Sequence, residues 1–280
     1  MPASQAEKAD RFQALHQRPG AFVIPNPWDA GTARILTVLG FEALTTTSAG
    51  LAFTLGRRDG HGSVTRDEAL ANAKAIVEAT DLPVAADLEN GYGDSPEAAS
   101  ETIRRAGEVG LVGASIEDTT GDPGRPIHGF QQAVERVAAA AQAAHALPFP
   151  FLLVGRAENF LHGRPDLDDT IRRLQAFEAA GADVLFAPGL TRAEDIRAVC
   201  AAVRKPVNVV MGLKSAAFSV PDLAALGVRR ISVGSALSRA ALGAFVRAAR
   251  EIQELGTFRF AEDALPYAEA SDLVAPQARK

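Results

Sequence analysis

The chain has 280 residues, 47% of them hydrophobic and 22% charged, the proportions of a soluble globular protein with room for one large domain or two small ones. Its formal net charge of -5 gives no basic footprint, so no nucleic-acid partner is expected. The single Cys200 excludes an intrachain disulfide and a cysteine metal site, the start Met1 to Lys8 is polar, and no uncharged apolar run is long enough to span a bilayer, so a cytoplasmic protein without a membrane partner is expected.

Apolar, β-branched runs and helix signals alternate along the chain. The first strand is expected over Phe22 to Asn26, and Pro27 to Gly31 turns into a helix ending near Leu39. Ala43 to Ser48 forms the second strand, followed by a loop from Phe53 to Ser63. Thr65-Arg66-Asp67-Glu68 is a capping box opening a helix to about Thr80. The third strand is the apolar run Leu82 to Ala86 leading into the acidic stretch that begins at Asp87, and Ser95-Pro96-Glu97 then starts a helix that stops at Gly110. The fourth strand, Gly113 to Glu117, precedes a glycine- and proline-rich loop, Thr119 to Gly129, and a helix to about Ala146. The fifth strand is Phe151 to Arg156 and the sixth Asp183 to Ala187, with a helix from about Asp168 to Ala180 between them. A second capping box, Thr191 to Glu194, opens a helix to Val203. The seventh strand is Pro206 to Val210, with a short helix at Pro221 to Leu226. The eighth is Arg230 to Val233, where Gly234-Ser235 caps a long helix to about Leu255.

Eight strands alternating with helices imply a parallel sheet covered by its crossovers, and eight such units in this length imply a (β/α)8 TIM barrel over residues 1–255. No Gly-x-Gly-x-x-Gly follows the first strand, against a doubly wound sheet. Residues 256–280 form a polar tail suited to contact with a neighbouring subunit.

Barrels of this kind carry their chemistry at the C-terminal ends of the strands. Those ends hold Asn26, Asp29, Ser48, Asp87, Glu89, Glu117, Asp118, Arg156, Glu158 and Asn208, whereas the opposite ends hold Pro83, Phe151 and Pro206. Asp87 and Glu89 share a face of an extended strand while Leu88 points away. Two carboxylates roughly 4 Å apart repel by about 4 kcal/mol at an effective dielectric near 20, so a cation, a shared proton or an arginine must offset them. With no lysine among these acids, a hard divalent cation suits them: magnesium, or manganese with the same ligands.

Asn26-Pro27-Trp28-Asp29-Ala30-Gly31, Thr47-Ser48-Ala49-Gly50-Leu51, Leu55-Gly56-Arg57-Arg58-Asp59, Asp87 to Gly93, Ile116-Glu117-Asp118 and Arg156-Ala157-Glu158 together resemble the isocitrate lyase/phosphoenolpyruvate mutase superfamily over about residues 20–255. The resemblance implies a barrel with Mg2+ near its mouth and a 2-oxo acid substrate reacting through an enolate. It places Asp87, Glu89 and Glu117 on the metal side, with Glu89 standing where the family usually has aspartate. It implies that Arg156 meets the substrate and its developing charge, that Ser48, Ala49 and Gly50 hold the substrate carboxylate, and that Asp59 lies near the reacting centre. Asn208 and Trp28 are counted with the substrate-binding residues, although packing alone also accounts for Trp28. A homodimer or homotetramer is implied, with the last long helix exchanged between subunits.

The resemblance has gaps. The lyase branch carries a cysteine in the loop after its fourth strand, whereas Thr119 to Gly129 has none and Cys200 lies on a distant helix. Ala187-Pro188-Gly189 lacks the glutamate or histidine of the lyase and mutase branches. Gly121, Gly124 and Gly129 fit a lid from which Arg125 or His128 can reach inward, but solvated or structural roles suit His61 and His128 better. Lys214 follows the seventh strand and no lysine ends the fifth or sixth, which argues against a Schiff base. Glu158 is read as the partner that orients Arg156. The expected function is a magnesium-dependent carbon–carbon lyase, decarboxylase or hydrolase acting on a 2-oxo or 2-hydroxy dicarboxylate, oxaloacetate-like or alkylmalate-like. The alternatives are a phosphonopyruvate-type mutase or hydrolase, and a metal and 2-oxo acid binding protein with little turnover.

Overall fold

The computed structural model describes residues 3–60, 62–213 and 218–275. His61, Lys214 and the last five residues of the tail lie outside that range. In chain order the elements are α1 (Gln5–Gln17), β1 (Phe22–Ile24), α2 (Ala30–Val38), β2 (Leu44–Thr45), α3 (Ser48–Thr54), α4 (Arg66–Glu78), β3 (Val84–Asp87) and α5 (Pro96–Glu108). They continue as β4 (Gly113–Glu117), α6 (Phe130–His145), β5 (Leu152–Arg156), α7 (Leu167–Ala179), β6 (Val184–Phe186), α8 (Ala193–Ala202), β7 (Val207–Val210) and α9 (Val220–Ala225). The chain ends through β8 (Arg230–Ser232), α10 (Ala236–Leu255), a 3-10 turn (Arg259–Glu262) and α11 (Tyr267–Val274).

The eight strands form one parallel sheet in the order β1-β8-β7-β6-β5-β4-β3-β2. The sheet curls so far that the Thr45 amide donates to the Pro25 carbonyl at 3.1 Å, which brings β2 beside β1. This is the expected (β/α)8 barrel. The two-residue side-chain period sorts each strand into an outer and an inner set. Val84, Ala86 and Leu88, Ala114 and Ile116, Leu153, Leu185, Val207, Val209 and Ile231 join the helices in one continuous apolar layer. The residues between them point inward, and toward the mouth they become Asp87, Glu117, Arg156 and Asn208.

Three helices depart from the expected pattern. The polar N-terminus is α1, opened by a capping box between Ser4 and Glu7. Its apolar stripe carries Phe12 into the bottom of the barrel, where it packs with Phe22, Ile24, Ala85 and Leu152. Lys8 donates to the Thr80 carbonyl and Gln5 to those of Gly107 and Leu111, which fixes the plug. The segment expected to open a loop after β2 is helical as α3, because Thr47 caps it by accepting from the Gly50 amide. The tail folds back as α11 on α2 of its own chain, where Arg34 donates to the Val274 carbonyl at 2.9 Å.

The Thr65 capping box forms as expected, but the one at Thr191 does not. There Arg192 takes the N-cap position and engages Glu194 itself, so the glutamate cannot reach back to the backbone. Ser235 does stand at the N-cap of α10, but its hydroxyl accepts from Arg239 rather than from the helix amides. Along α10 only Ser238 is buried, and Leu237, Leu242, Phe245, Val246, Ile252 and Leu255 are exposed.

His16 is buried edge-on between the rings of Phe12 and Phe22, with Nδ1 on the Phe12 carbonyl at 2.8 Å. Burial, and then the charge of Arg230, push its pKa from 6.5 down to about 3. Between those values the unfolded chain binds a proton that the folded chain refuses, so stability falls as pH drops, by up to about 1.4 kcal/mol per pH unit from this group. The His16→Phe variant removes that component. Urea unfolding between about pH 6 and about pH 4 is therefore expected to show a steeper loss of stability in the natural protein than in the variant. Parallel curves would exclude His16 as an acid-sensitive group.

Candidate active site

Asp87 ends β3 with its amide donating to Thr46 Oγ1 at 3.1 Å. Its carboxylate accepts from the Ser48 hydroxyl at 2.8 Å and from the Ser48 amide at 3.4 Å, at the N-terminus of α3. The strand stops there. Glu89 lies in the left-handed region (φ 47°), so the turn, and not the pleat, carries its side chain to the mouth. Leu88 points outward into the apolar layer as expected. Gly91, with φ 78°, accepts from Thr102 of α5, and a Cβ there would stand 3.1 Å from the Ala99 backbone. From α6 the buried Arg136 donates to the carbonyls of Asn90 and Gly93. The acidic turn is therefore held from two neighbouring helices.

Arg156, at the end of β5, is the centre of the charge. Its Nη1 stands 3.1 Å from Glu117 and 3.3 Å from Asp87, and its Nε donates to Glu158. Burial works against the guanidinium charge, but Glu117, Glu158 and Asp87 outweigh it and raise the pKa. Glu158 is fixed in turn, because its amide donates to Asp118 at 2.8 Å and Asp118 pairs with Arg173 of α7 at 2.9 Å. Of the Glu-Asp pair after β4, Glu117 thus faces the mouth and Asp118 braces the scaffold.

One cation does not balance these acids. Burial first, then the charges of Asp87, Glu117 and Asp59, push the Glu89 pKa up to about 8. Burial also raises that of Glu117, with Arg156 opposing and Glu158 and Asp87 adding to the shift. Asp59 lies on an exposed loop with its side chain over the cavity, and partial burial followed by the Asp87 charge raises its pKa too. Among the described residues no three acidic, histidine or cysteine side chains form a ready-made metal cage, and Arg156 bridges Asp87 and Glu117 instead. The donor set nonetheless fits a divalent cation: hard carboxylate oxygens, excess negative charge and elevated pKa values, in a cavity with room for water and substrate oxygens.

The mouth is a cavity of about 1360 Å³ whose wall includes Asp59, Glu89, Glu117, Arg156, Glu158 and His162. Below it a shaft of about 170 Å³ enters the barrel past Ser48, Ala49, Asp87 and Asn208. Gly50 and Trp28 are not among the lining residues of either space. A Cβ on Gly50 would come within 2.6 Å of Thr47 and 3.0 Å of Trp28, so the glycine lets α3 close against Trp28. Asp29 caps α2 through Thr32. Asn26 is a staple: its Oδ1 accepts from the Val233 and Gly234 amides at 2.9 Å each, and its Nδ2 donates to the Thr46 carbonyl at 2.8 Å. It thereby joins β1, β2 and the exit of β8.

The loop from Thr119 to Ile127 closes as a small hairpin, with Thr120 bonded to the Pro126 carbonyl at 3.1 Å. His128 is fully buried with Nε2 3.6 Å from Asp94, which agrees with a structural role, and Arg125 is exposed outside the cavity wall. Three functional candidates were missed in the sequence. His162 reaches the mouth 3.6 Å from Glu158, Tyr92 buries an unpaired hydroxyl at the cavity wall, and Arg230 lines the shaft. His162-Gly163-Arg164-Pro165 soon after Glu158 was the available signal for the first, and the inward parity with Ser232 for the last.

A family model described as phosphoenolpyruvate phosphomutase matches residues 12–253. A candidate lyase/mutase from Burkholderia cenocepacia, known as a crystal structure, is 58% identical with a TM-score of 0.95, the match covering 98% of this chain and 97% of that one. The oxaloacetate decarboxylase of Paraburkholderia xenovorans is 30% identical over 234 residues, 81% of this chain and 75% of its own. The 2-methylisocitrate lyase of Halalkalibacterium halodurans is 28% identical over 264 residues, 91% of this chain and 85% of its own.

Replacing Asn26 by alanine leaves two amides at the end of β8 without their acceptor. The expected loss is about 2–4 kcal/mol of unfolding free energy in urea. A loss below about 0.5 kcal/mol would remove Asn26 from the closure of the barrel.

Proposed function

The chain belongs to the isocitrate lyase/phosphoenolpyruvate mutase superfamily of lyases and mutases, and from that premise we propose that it cleaves a carbon–carbon bond in a 2-oxo or 2-hydroxy dicarboxylate, oxaloacetate-like or alkylmalate-like, with Mg2+. The observation that carries this reading is Arg156 held among Asp87, Glu117 and Glu158 beside acids whose pKa values are raised. Asp87, Glu89 and Glu117 would hold the cation, directly or through water, and Mn2+ suits the same oxygens. When bound, the cation supplies Lewis acidity toward a 2-oxo carboxylate.

The remaining work falls to the chain. Arg156 is a fixed positive charge where the enolate oxygen develops, oriented before substrate arrives because Glu158 and Asp118 hold it. Ser48 and Ala49, at the N-terminus of α3 and on the shaft wall, receive the substrate carboxylate. Asp59 faces the reacting centre from the opposite loop. His162 Nε2, at the mouth beside Glu158, passes the proton that the cysteine-free loop does not supply. A phosphonopyruvate-type reaction is the second reading, supported by the phosphomutase description of the matching family model.

A screen of 2-oxo and 2-hydroxy diacids and of phosphonates, with and without Mg2+, tests the proposal by following pyruvate, glyoxylate, carbon dioxide and phosphate. Metal-dependent release of a carbonyl product from a diacid is expected, and Asp87→Ala is expected to abolish it while the barrel keeps its circular dichroism. Phosphate release would favour the second reading, and full activity in Asp87→Ala would refute the metal site.

The same reading includes a homodimer or homotetramer in which the exposed apolar residues of α10 pack on a neighbouring subunit. Light scattering is expected to give at least twice the chain mass, and a compact monomer would refute the assembly.

A further inference from the structure

The inner layers of a (β/α)8 barrel are ordinarily filled by bulky branched side chains. Here part of the interior is small or polar. Ala85 and Gly113 take inward positions on β3 and β4, and Thr45, Ser115, Asn208 and Ser232 line the shaft. Arg230 also lines it, pointing inward from β8. The residue is 4% exposed, and among the described residues its buried Nε and Nη1 have no hydrogen-bond partner. Among the described residues no carboxylate pairs with it, and burial alone perturbs its pKa. The Phe12 ring, 5.9 Å from the guanidinium carbon, offsets part of the charge but gives its N–H groups no acceptor. The neighbouring His16 is a second group without negative charge. A buried arginine left this way is an incomplete ion pair, because guanidinium N–H groups require acceptors.

We propose that Arg230 is the floor of an anion subsite inside the barrel that takes a carboxylate-sized monoanion. The shaft of about 170 Å³ is large enough for such a group. Arg230 supplies a planar donor fork that suits a carboxylate. Ser232 stands beside it and accepts from Asn208 at 3.1 Å, while Asn208 Oδ1, also buried and unpaired, meets a ligand hydroxyl or an accompanying water. The anion comes from one of two sources. It is the second carboxylate of the substrate, an assignment that rests on the function proposed above, or it is a free ion such as formate or chloride.

The test begins with metal-free protein and no substrate. Formate and chloride titrations at constant ionic strength are expected to raise the thermal midpoint saturably in the natural protein and in Asp87→Ala. The rise is expected to vanish in Arg230→Met and to survive in part in Arg230→Lys. The Asp87→Ala arm separates this subsite from the metal-dependent reaction, since failure of that reaction leaves the titration unchanged. Calorimetry with 2-oxoglutarate and 2-oxopentanoate then identifies the source. If the diacid binds about ten-fold tighter, or about 1.4 kcal/mol, and the gap closes in Arg230→Met, the anion is the substrate's own carboxylate. If the gap persists while formate stabilisation is lost, the anion is free. If Arg230→Met does not fold, bromide anomalous scattering from crystals of the natural protein decides, with a peak at Arg230 as the supporting result. Absence of any saturable anion effect together with absence of that peak would overturn the subsite.

Discussion

The mouth of this barrel depends on one buried guanidinium. Arg156 touches Asp87 from β3, Glu117 from β4 and Glu158 beyond β5. Each acid arrives from a different strand end, so the spacing of the site is set by what a single planar fork can reach. Removing the guanidinium from such a network leaves buried carboxylates without their cation, at about 3–5 kcal/mol. The brace extends outward through Asp118 to Arg173 on α7, whose Nη1 also holds the His128 carbonyl at 3.1 Å. The loop after β4 and the exit of β5 are thereby fixed to one helix. This arrangement gathers more carboxylates than cations at the mouth, and burial first, then the neighbouring acids, raises the pKa values of Glu89 and Glu117.

Strand alternation lets the barrel separate stability from chemistry. Outward residues build the apolar layer under the helices, and that layer tolerates little polarity. Inward residues are released from this demand toward the C-terminal end, where solvent and substrate enter. At the opposite end α1 supplies the missing core by inserting Phe12 among Phe22, Ile24 and Leu152. A barrel with so many small inward residues needs that plug, since a void at its base would forfeit dispersion contacts on every side. Asn26 secures the seam where β1 and β2 meet and holds the exit of β8 to it.

The barrel was legible because its signals are periodic and redundant. Every strand was visible as an apolar or β-branched run between helix signals, and the Thr65 and Ser95 caps formed as their residue types require. What escaped was short or context-dependent. The Ser4 to Glu7 capping box lay in plain view, but the polarity around it masked Ala9, Phe12 and His16 as a buried stripe. Thr191 lost its helix start to a stronger local pair between Arg192 and Glu194. At the site, Asp87, Glu117 and Arg156 converge because each ends a strand, and Glu158 joins them from just beyond β5. Glu89 reaches the same place by a left-handed turn that alternation does not describe. Asn26 has the same residue type and placement as a ligand-binding group, and only its three hydrogen bonds reveal the staple. The one signal for Arg230 was its parity with Ser232, and an arginine in a strand reads as surface until that parity is placed within a closed barrel.

The parts of the site that match the superfamily and the parts that do not divide by chemical task. The charged groups that the resemblance expects, Asp87, Glu117 and Arg156, stand together, each on a rigid strand end. The loop after β4 lacks a cysteine and folds as a hairpin with His128 buried at its base. Reactions that proceed through a common enolate differ in what delivers or removes the proton, and in which bond breaks to form the enolate. A fixed electrostatic frame with an exchangeable proton carrier therefore permits one barrel to serve several such reactions. Under the function proposed for this chain, the exchangeable positions are His162 at the rim and the residues along the shaft. On the same proposal, selection among substrates falls to the barrel interior, where Arg230 below and the carboxylates above would orient a ligand carrying charge at both ends.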